Sequence, residues 1–504
     1  MNMSALFNDV DVLVREGDAT GPLGSVQHDS RQVRAGDVFV ARRGVEVDGH
    51  DYLDAAARAG AGLLVVEEPP APGSEAASVP WVQVLSSSRA LGDLAANQHG
   101  RPTERMDVVG ITGTNGKTTS AFLVEGAMQP TERSTGVVGT VLARWPGNTE
   151  SLGMTTPDAP ALQSLFGRMR DAGVDTAVLA VSSHALEQHR VDAVDFDVAA
   201  FTNLGRDHLD YHGTLASYAD AKRRFFTEVL PASRNPRGAV INVDDATGDA
   251  LAGECQSPVV RMGRNAGPGR DLYASDIRTS LGGIEATLVS DWGRAEVHSS
   301  LVGEHNLMNV LTAVGCGLLL DVPLDHLVMG IGEVAHVPGR LQAVGGTGDI
   351  HVLVDYAHTD DALSATLSSL KPLTAGRLIV VFGCGGDRDT GKRAPMGAVV
   401  ARHADVAIVT SDNPRSEDPE AIMADVLAGM DSFPALATAT GRGHLTRVDR
   451  RDAIHHAIDI AAAGDVVLIA GKGHEATQEF ADHIVAFDDA AVAMEALQSR
   501  GGSR

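Results

Sequence analysis

The stretch Val108-Val-Gly-Ile-Thr-Gly-Thr-Asn-Gly-Lys-Thr-Thr-Ser120 constrains this 504-residue chain more than any other. A short β-branched run enters a glycine-rich turn, and Lys117 and Thr118 open what reads as a helix. Strand, turn and helix in that order form a phosphate cradle. Backbone N–H groups of the turn and the helix N-terminus face the anion, the lysine adds positive charge, and the threonine hydroxyl suits Mg²⁺. The spacing departs from G-x-x-x-x-G-K-[ST]: Ile111 stands where the first glycine belongs, and the turn reads Gly110-x-x-Gly113-x-x-Gly116. The segment predicts an α/β protein that binds ATP or GTP.

Bulk properties narrow the class. The length suggests about three domains, each large enough for its own core. Aromatics make up only 4% of residues, so the cores are expected to be aliphatic. A net charge of −25 argues against a nucleic-acid binder, because no broad basic field would draw phosphate backbones. Cys255, Cys316 and Cys384 are widely spaced and odd in number, which predicts neither a disulfide framework nor a zinc site. The first residues lack the basic and apolar regions of a signal peptide, and no apolar run is long enough to span a bilayer. A cytoplasmic protein without membrane insertion is expected.

Strand-like runs alternate with helical ones, which predicts parallel sheets flanked by helices. Residues 1–103 form a first block, ending after a Pro/Ala/Ser-rich stretch at 68–80 and a helical pattern at 86–99. Residues 104–337 form a second, with strands at 176–182, 197–202 and 238–243, an alternating run at 284–301 and a helix at 306–320. Residues 338–504 form a third, with strands at 350–355, 377–383, 405–411 and 465–470.

Polar motifs sit where these strands end, the place α/β sheets build sites. Asn203, Arg206, Asp207, His208 and Tyr211 follow one strand; Ser182, Ser183, His184, Gln188 and Arg190 follow another. The second group lacks a G-x-S-x-G elbow and suits a polar, anionic ligand better than a nucleophilic serine. Taken alone, Lys222 reads as a surface lysine, and Thr155-Thr-Pro-Asp158 and Asp29-Ser-Arg31 as turns or helix caps. In the third block, the loops holding Arg388, Asp412-Asn-Pro-Arg415 and Gly471-Lys-Gly-His-Glu475 would converge on one rim. There Arg388 and Arg415 would grip a carboxylate and Glu475 an ammonium, a pocket for a zwitterion.

Together these motifs resemble the Mur ligase family, in particular its tripeptide-synthetase branch. The likeness runs through nearly the whole chain, including Asp48-Gly-His50, Gly303-Glu-His-Asn306, Pro338-Gly-Arg340 and Asp355-Tyr-Ala-His358. The resemblance implies an N-terminal UDP-binding α/β domain, a central P-loop ATPase sheet flanked by helices, and a Rossmann-like C-terminal domain presenting an amino acid. It implies ATP-dependent amide formation on UDP-MurNAc-L-Ala-D-Glu through an acyl phosphate, with Mg²⁺, in peptidoglycan precursor synthesis. Gly113, Thr114, Asn115, Gly116, Lys117, Thr118, Thr119, Asn306, Arg340, Asp355 and His358 match the nucleotide positions. Ser30, Thr155, Thr156, Ser182, Gln188 and Arg190 match the UDP-sugar-peptide positions. Arg388, Asp412, Asn413, Arg415, Gly471 and Glu475 match the amino-acid pocket. Thr118, His208 and Lys222 match metal positions, the lysine as a carbamate, and Lys117, Lys222 and His208 the catalytic set. The Asp-Asn-Pro-Arg loop resembles the version selecting meso-diaminopimelate, whose extra carboxylate calls for an arginine. A monomer acting on small molecules is expected.

One departure stands out: Ala180 occupies the position where the family carries a metal-binding glutamate before Val-Ser-Ser-His. Gly205, Leu341-Gln342 and Asp360 are smaller departures. Two alternatives therefore accompany the leading expectation: the same ligase using L-lysine or L-ornithine, and a catalytically weakened homologue that only binds nucleotide or precursor.

Overall fold

The computed structural model describes residues 2–19, 21–44, 47–140, 142–345, 350–436, 438 and 441–501. Among the described residues the backbone forms three large sheets and a two-stranded ribbon, Thr477–Glu479 with Ile484–Ala486, distributed over two compact units. The first unit contains Met1–Tyr273, Val289–Gly293 and Asn309–Gly330; the second contains Ala274–Leu288, Arg294–Met308 and Ile331–Arg504.

The N-terminal sheet and the central sheet's strands between Asp107 and Gly263 lie in the first unit. The N-terminal one runs Val12–Glu16, Trp81–Val84, Leu63–Val66, Val38–Val40, Val26–Gln27, parallel except for its first strand. Alternate residues feed opposite faces: Val38, Val40, Leu63 and Val65 enter one core, Phe39, Leu64 and Val66 the other. Both faces of a parallel strand are covered, which is why these runs are continuously apolar.

The central sheet places Asp107–Thr112 between Val198–Phe201 and Thr176–Ala180, all parallel. Gly238–Asn242 and Val259–Gly263 extend it on one side, Thr135–Val138 and a short antiparallel ribbon on the other. The strand Leu272–Ser280 begins paired to Val259–Gly263, and Gly283–Ser290 and Gly293–Ser299 follow, matching the alternating run near residue 284. Gly110 lies inside the strand and is not part of the phosphate turn. A Cβ there would sit 2.4 Å from the Phe225 ring and 2.6 Å from that of Phe196, so this glycine serves aromatic packing.

In the second unit the sheet order is Gln342–Val344, His351–Asp355, Val466–Ala470, Leu378–Phe382, Val406–Thr410, Gly443–Arg447, with only the first strand antiparallel. Its middle strands are wholly buried between two aliphatic cores. Four neighbouring parallel strands therefore release their C-terminal loops on the same rim.

Candidate active site

The phosphate turn follows Asp107–Thr112 and runs into the helix Lys117–Met128. Gly113 (φ 146°) and Gly116 (φ 90°) adopt backbone conformations closed to ordinary L-residues. A Cβ at Gly113 would stand 1.9 Å from Thr202 Oγ1, and one at Gly116 2.3 Å from Asn309 Oδ1. The neighbouring strand end laces the turn in place: Thr114 N–H donates to Asn203 O (2.8 Å), Asn115 N–H to Asn203 Oδ1 (2.9 Å), and Thr202 Oγ1 to Asn115 O (2.6 Å). Lys117 Nζ donates to Gly113 O (2.7 Å) and Thr114 O (2.8 Å), holding its charge over the turn.

Lys222 is the largest departure from the residue-by-residue reading. Thr214 caps the helix Leu215–Arg224, accepting from Ser217 N–H (3.1 Å), and the helix carries Lys222 inward to 1% exposure. Its Nζ donates to Gly113 O (2.9 Å), the oxygen that Lys117 also uses, and lies 4.5 Å from the Tyr218 ring centroid. Burial, and then the neighbouring Lys117 charge, hold its pKa well below the ordinary lysine value. His208 stands in a left-handed conformation (φ 51°), 4.8 Å from the His184 ring. Burial lowers its pKa, the charges of Lys117 and Lys222 add to that, and Asp207 opposes. The structure thus brings Lys117, His208 and Lys222 together around one loop.

Hydroxyl groups gather beside them. Thr118 Oγ1 lies 3.4 Å from Thr140 Oγ1, which is 3.1 Å from Thr155 Oγ1. Thr156 Oγ1 accepts from Ser182 N–H (3.0 Å) and donates to Ala180 O (2.8 Å); Ser182 caps the helix Ser183–Glu187. Arg190 Nη1 donates to Thr156 O (2.9 Å) and its Nη2 to Gln188 Oε1 (2.7 Å), while Gln188 Nε2 donates to Tyr211 Oη (3.0 Å). Thr156, Ser182, Gln188 and Arg190 are therefore one connected network. Gln188 and Tyr211 also line a cavity of about 940 Å³ whose opposite wall is Ser30, Arg42, Arg43 and Tyr52 of the N-terminal sheet's loops. Arg42, Arg43 and Tyr52 were invisible to motif reading; only the cavity selects them.

Thr118 suits one Mg²⁺ that would share a nucleotide's phosphates, since that ion takes few protein ligands. Ala180 is buried and offers no oxygen from its side chain, and among the described residues no three His, Cys, Asp or Glu side chains gather to hold a metal.

The remaining nucleotide positions lie in the second unit. Asn306 is buried, its Nδ2 donating to Val302 O (2.7 Å). The Arg340 guanidinium stands 5.0 Å from the Tyr356 ring centroid, its buried Nε without a hydrogen-bond partner among the described residues. Asp355 is committed to the backbone: Oδ2 accepts from Leu341 N–H (2.8 Å), and Oδ1 from Ala357 N–H (2.9 Å) and Thr366 Oγ1 (3.3 Å). Its carboxylate shapes the loop next to Arg340, where Leu341 adopts φ 42°. His358 is exposed, Nδ1 bonded to Tyr356 O (2.8 Å).

The three loops expected to form an amino-acid pocket meet on the rim of the C-terminal sheet. Arg415 (φ 51°) donates from Nε to Glu479 Oε2 (2.7 Å) and from Nη1 to Gly386 O (2.8 Å). Asn413 Nδ2 donates to Glu475 Oε2 (2.9 Å). Gly471 (φ 115°) approaches Asp412, where a Cβ would lie 2.7 Å from Oδ2. Arg388 is exposed on the adjacent loop and hydrogen-bonds no described residue; a Cβ built on Gly385 would lie 3.2 Å from Arg415 Nη1 and 3.9 Å from Arg388 Cγ, so both arginines flank one point of the rim.

A P-loop turn with two lysine amines at one carbonyl, a cavity beside it and a polar rim on another parallel sheet define an α/β protein of the P-loop class. Residues 111–317 match the Mur ligase middle domain, 339–473 the Mur ligase glutamate ligase domain, and 23–99 the Mur ligase family catalytic domain. The chain belongs to the Mur ligase family. It is 43% identical to UDP-N-acetylmuramoyl-L-alanyl-D-glutamate--2,6-diaminopimelate ligase of Geobacter sulfurreducens, covering 99% of both chains. The relative of that name in Gloeobacter violaceus is also 43% identical, over 95% of this chain and 94% of its own. A solved structure of such a 2,6-diaminopimelate ligase superposes with a TM-score of 0.73 at 32% identity, covering 99% of each chain. An ADP complex of MurF from Thermotoga maritima shares the fold at 20% identity and a TM-score of 0.59, covering 94% of this chain and 96% of its own.

Proposed function

We propose that this chain joins meso-diaminopimelate to UDP-MurNAc-L-Ala-D-Glu at the expense of ATP, as a monomer in the cytoplasm. The observation that carries the reading is the rim where Asn413, Arg415 and Glu475 meet, in a chain whose full-length relatives bear the name of that ligase. An arginine suits the second carboxylate that distinguishes diaminopimelate from lysine, and a carboxylate suits its ammonium.

A carboxylate is a poor acyl donor, so the precursor's terminal carboxylate oxygen attacks the γ-phosphorus and ADP leaves. The amine nitrogen then attacks the acyl carbon, and phosphate leaves. Two anions must meet in the first step, and Lys117, released from the turn's carbonyls, offsets their repulsion. Thr118 would hold Mg²⁺, which when bound would supply further charge neutralisation at the phosphates. The pocket around Lys222 favours a neutral amine, the form that takes up CO₂ and would become a carbamate. Gln188, Arg190 and the walls of the 940 Å³ cavity are assigned to the UDP-sugar.

Product formation from ATP and UDP-MurNAc-L-Ala-D-Glu, with meso-diaminopimelate, L-lysine and L-ornithine offered separately, tests the reading. Turnover with meso-diaminopimelate alone supports it. Turnover with another amine keeps the ligase and overturns the choice of substrate. Ala180 favours the binding-only alternative, and ATP binding without turnover on any amine would establish it.

A further inference from the structure

Lysine is rare in this chain: of 41 Lys and Arg residues, only Lys117, Lys222, Lys371, Lys392 and Lys472 are lysines. Where arginine serves nearly every other basic position, a lysine marks a place for a compact ammonium. Lys117 and Lys222 belong to the phosphate turn, Lys371 pairs with Asp405 at 2.6 Å, and Lys392 donates to His358 O. Lys472 belongs to none of these, and its side chain is completely buried.

Its surroundings are specific. Nζ donates to Asn413 Oδ1 (2.9 Å) and to Glu475 Oε2 (3.1 Å). Asn413 Oδ1 also accepts from Glu479 N–H (3.1 Å), while its Nδ2 donates to Glu475 Oε2 (2.9 Å). The amide can face only one way, because its oxygen meets two donors and its nitrogen an acceptor. Glu475 keeps one-third of its side chain exposed, and Oε1 has no hydrogen-bond partner among the described residues. The backbone enforces the inward turn: Gly471 (φ 115°) and Gly473 (φ 55°) flank the lysine, and a Cβ on Gly473 would meet Tyr356 Cβ at 2.7 Å. Among the described residues, the hydrogen bonds of this buried ammonium go to the two side chains assigned to the incoming amino acid.

We propose that Lys472 is a positioning residue of the amino-acid pocket. It locks the Asn413 amide and occupies one oxygen of Glu475, leaving Oε1 to receive the ammonium of a diamino acid. The proposal rests on the reading of Asn413 and Glu475 given above.

The test measures KM and kcat for the amino acid, ATP and the UDP precursor in the full-length protein and in Lys472→Met and Lys472→Arg. Turnover by the unaltered protein, with whichever amine it accepts, checks the underlying reading separately. The expected result for Lys472→Met is an amino-acid KM raised at least tenfold, with KM for ATP and the UDP precursor within twofold. Lys472→Arg keeps the charge but not the single-point geometry, and should recover only part of the loss. In an Asn413→Ala background Lys472→Met should add little, since both changes remove one network. A folded Lys472→Met protein whose amino-acid KM is unchanged, or whose three KM values rise alike, would overturn the proposal. Failure of both variants to fold would likewise overturn it, assigning Lys472 to domain stability.

Discussion

Asp197 is a carboxyl that the central sheet buries and holds by a backbone hydrogen bond. It sits immediately before the strand Val198–Phe201 and accepts from Val108 N–H at 2.7 Å. Burial, reinforced by Asp107 and Asp195, pushes its pKa to about 6 against the opposing Val108 hydrogen bond and Arg237. A carboxyl raised in the folded state favours folding below its unfolded pKa, and that contribution is lost as pH rises through about 6. Asp197→Asn should therefore stabilise the protein at pH 8 by up to about 2–3 kcal/mol and have little effect at pH 4. Urea unfolding at the two pH values checks this. Ala180 makes the complementary case, a carboxylate that is missing. Its Cβ lies 3.6 Å from a Cβ built on Gly139, beside the cluster of threonine hydroxyls. Ala180→Glu should add one bound Mn²⁺ per chain in the presence of ATP, counted by electron paramagnetic resonance. An unchanged count would show that the glutamate cannot reach the ion.

Single elements explain why some site residues were legible and others were not. The phosphate turn was readable because strand, glycines, lysine and threonine are contiguous, although Gly110 belongs to packing against Phe225 and Phe196. The turns at Asp29-Ser-Arg31 and Thr155–Asp158 were readable as caps, and Asp29 and Asp158 do cap the helices Ser30–Gln32 and Ala159–Asp171, since side-chain oxygens at helix starts follow a local rule. Lys222 was not, because its burial depends on which face of Leu215–Arg224 meets the turn. The pair Arg450 and Asp489 was equally hidden: 39 residues apart at the starts of two helices, both side chains are fully buried, bonded at 2.8 and 2.7 Å. Arg450 Nη2 also holds Ala470 O, the residue before Gly471. Asp489→Asn would leave a buried guanidinium without its counter-charge, and breaking such a pair costs about 3–5 kcal/mol. The expected outcome is a lowered denaturation midpoint for the unit containing Ile331–Arg504, monitored by hydrogen exchange.

At the scale of the whole molecule, ligands should report on the two units separately. A ligand that binds only the folded form stabilises by RT ln(1 + [L]/Kd), about 2.7 kcal/mol at a hundredfold excess over Kd. UDP-MurNAc-L-Ala-D-Glu should slow amide exchange in 28–52 and 187–190, and meso-diaminopimelate in 412–415 and 471–479, each mapped by mass spectrometry. Protection of the first set by diaminopimelate alone would contradict the assignment of the two pockets. Among the described residues no helix is long and apolar enough to cross a membrane. With a net charge of −25, the anionic ligands of the proposed reaction would have to be held by local groups such as Lys117, Arg190 and Arg415.

Sequence alone determined whatever rests on neighbours along the chain: alternating strands and helices, the phosphate turn, the helix caps, and loops carrying Asn413, Arg415 and Glu475 at strand ends. Tertiary structure decided which charges are buried and which polar groups already have partners. It turned Lys222 from a surface residue into a buried amine sharing Gly113 O with Lys117. It committed Asp355 to backbone N–H groups, left Arg388 in solvent, and placed Lys472 beneath Asn413 and Glu475. The physical reason is common to all of these. Turn and cap preferences act over a few residues, whereas desolvation and charge pairing depend on every atom that packing brings within reach.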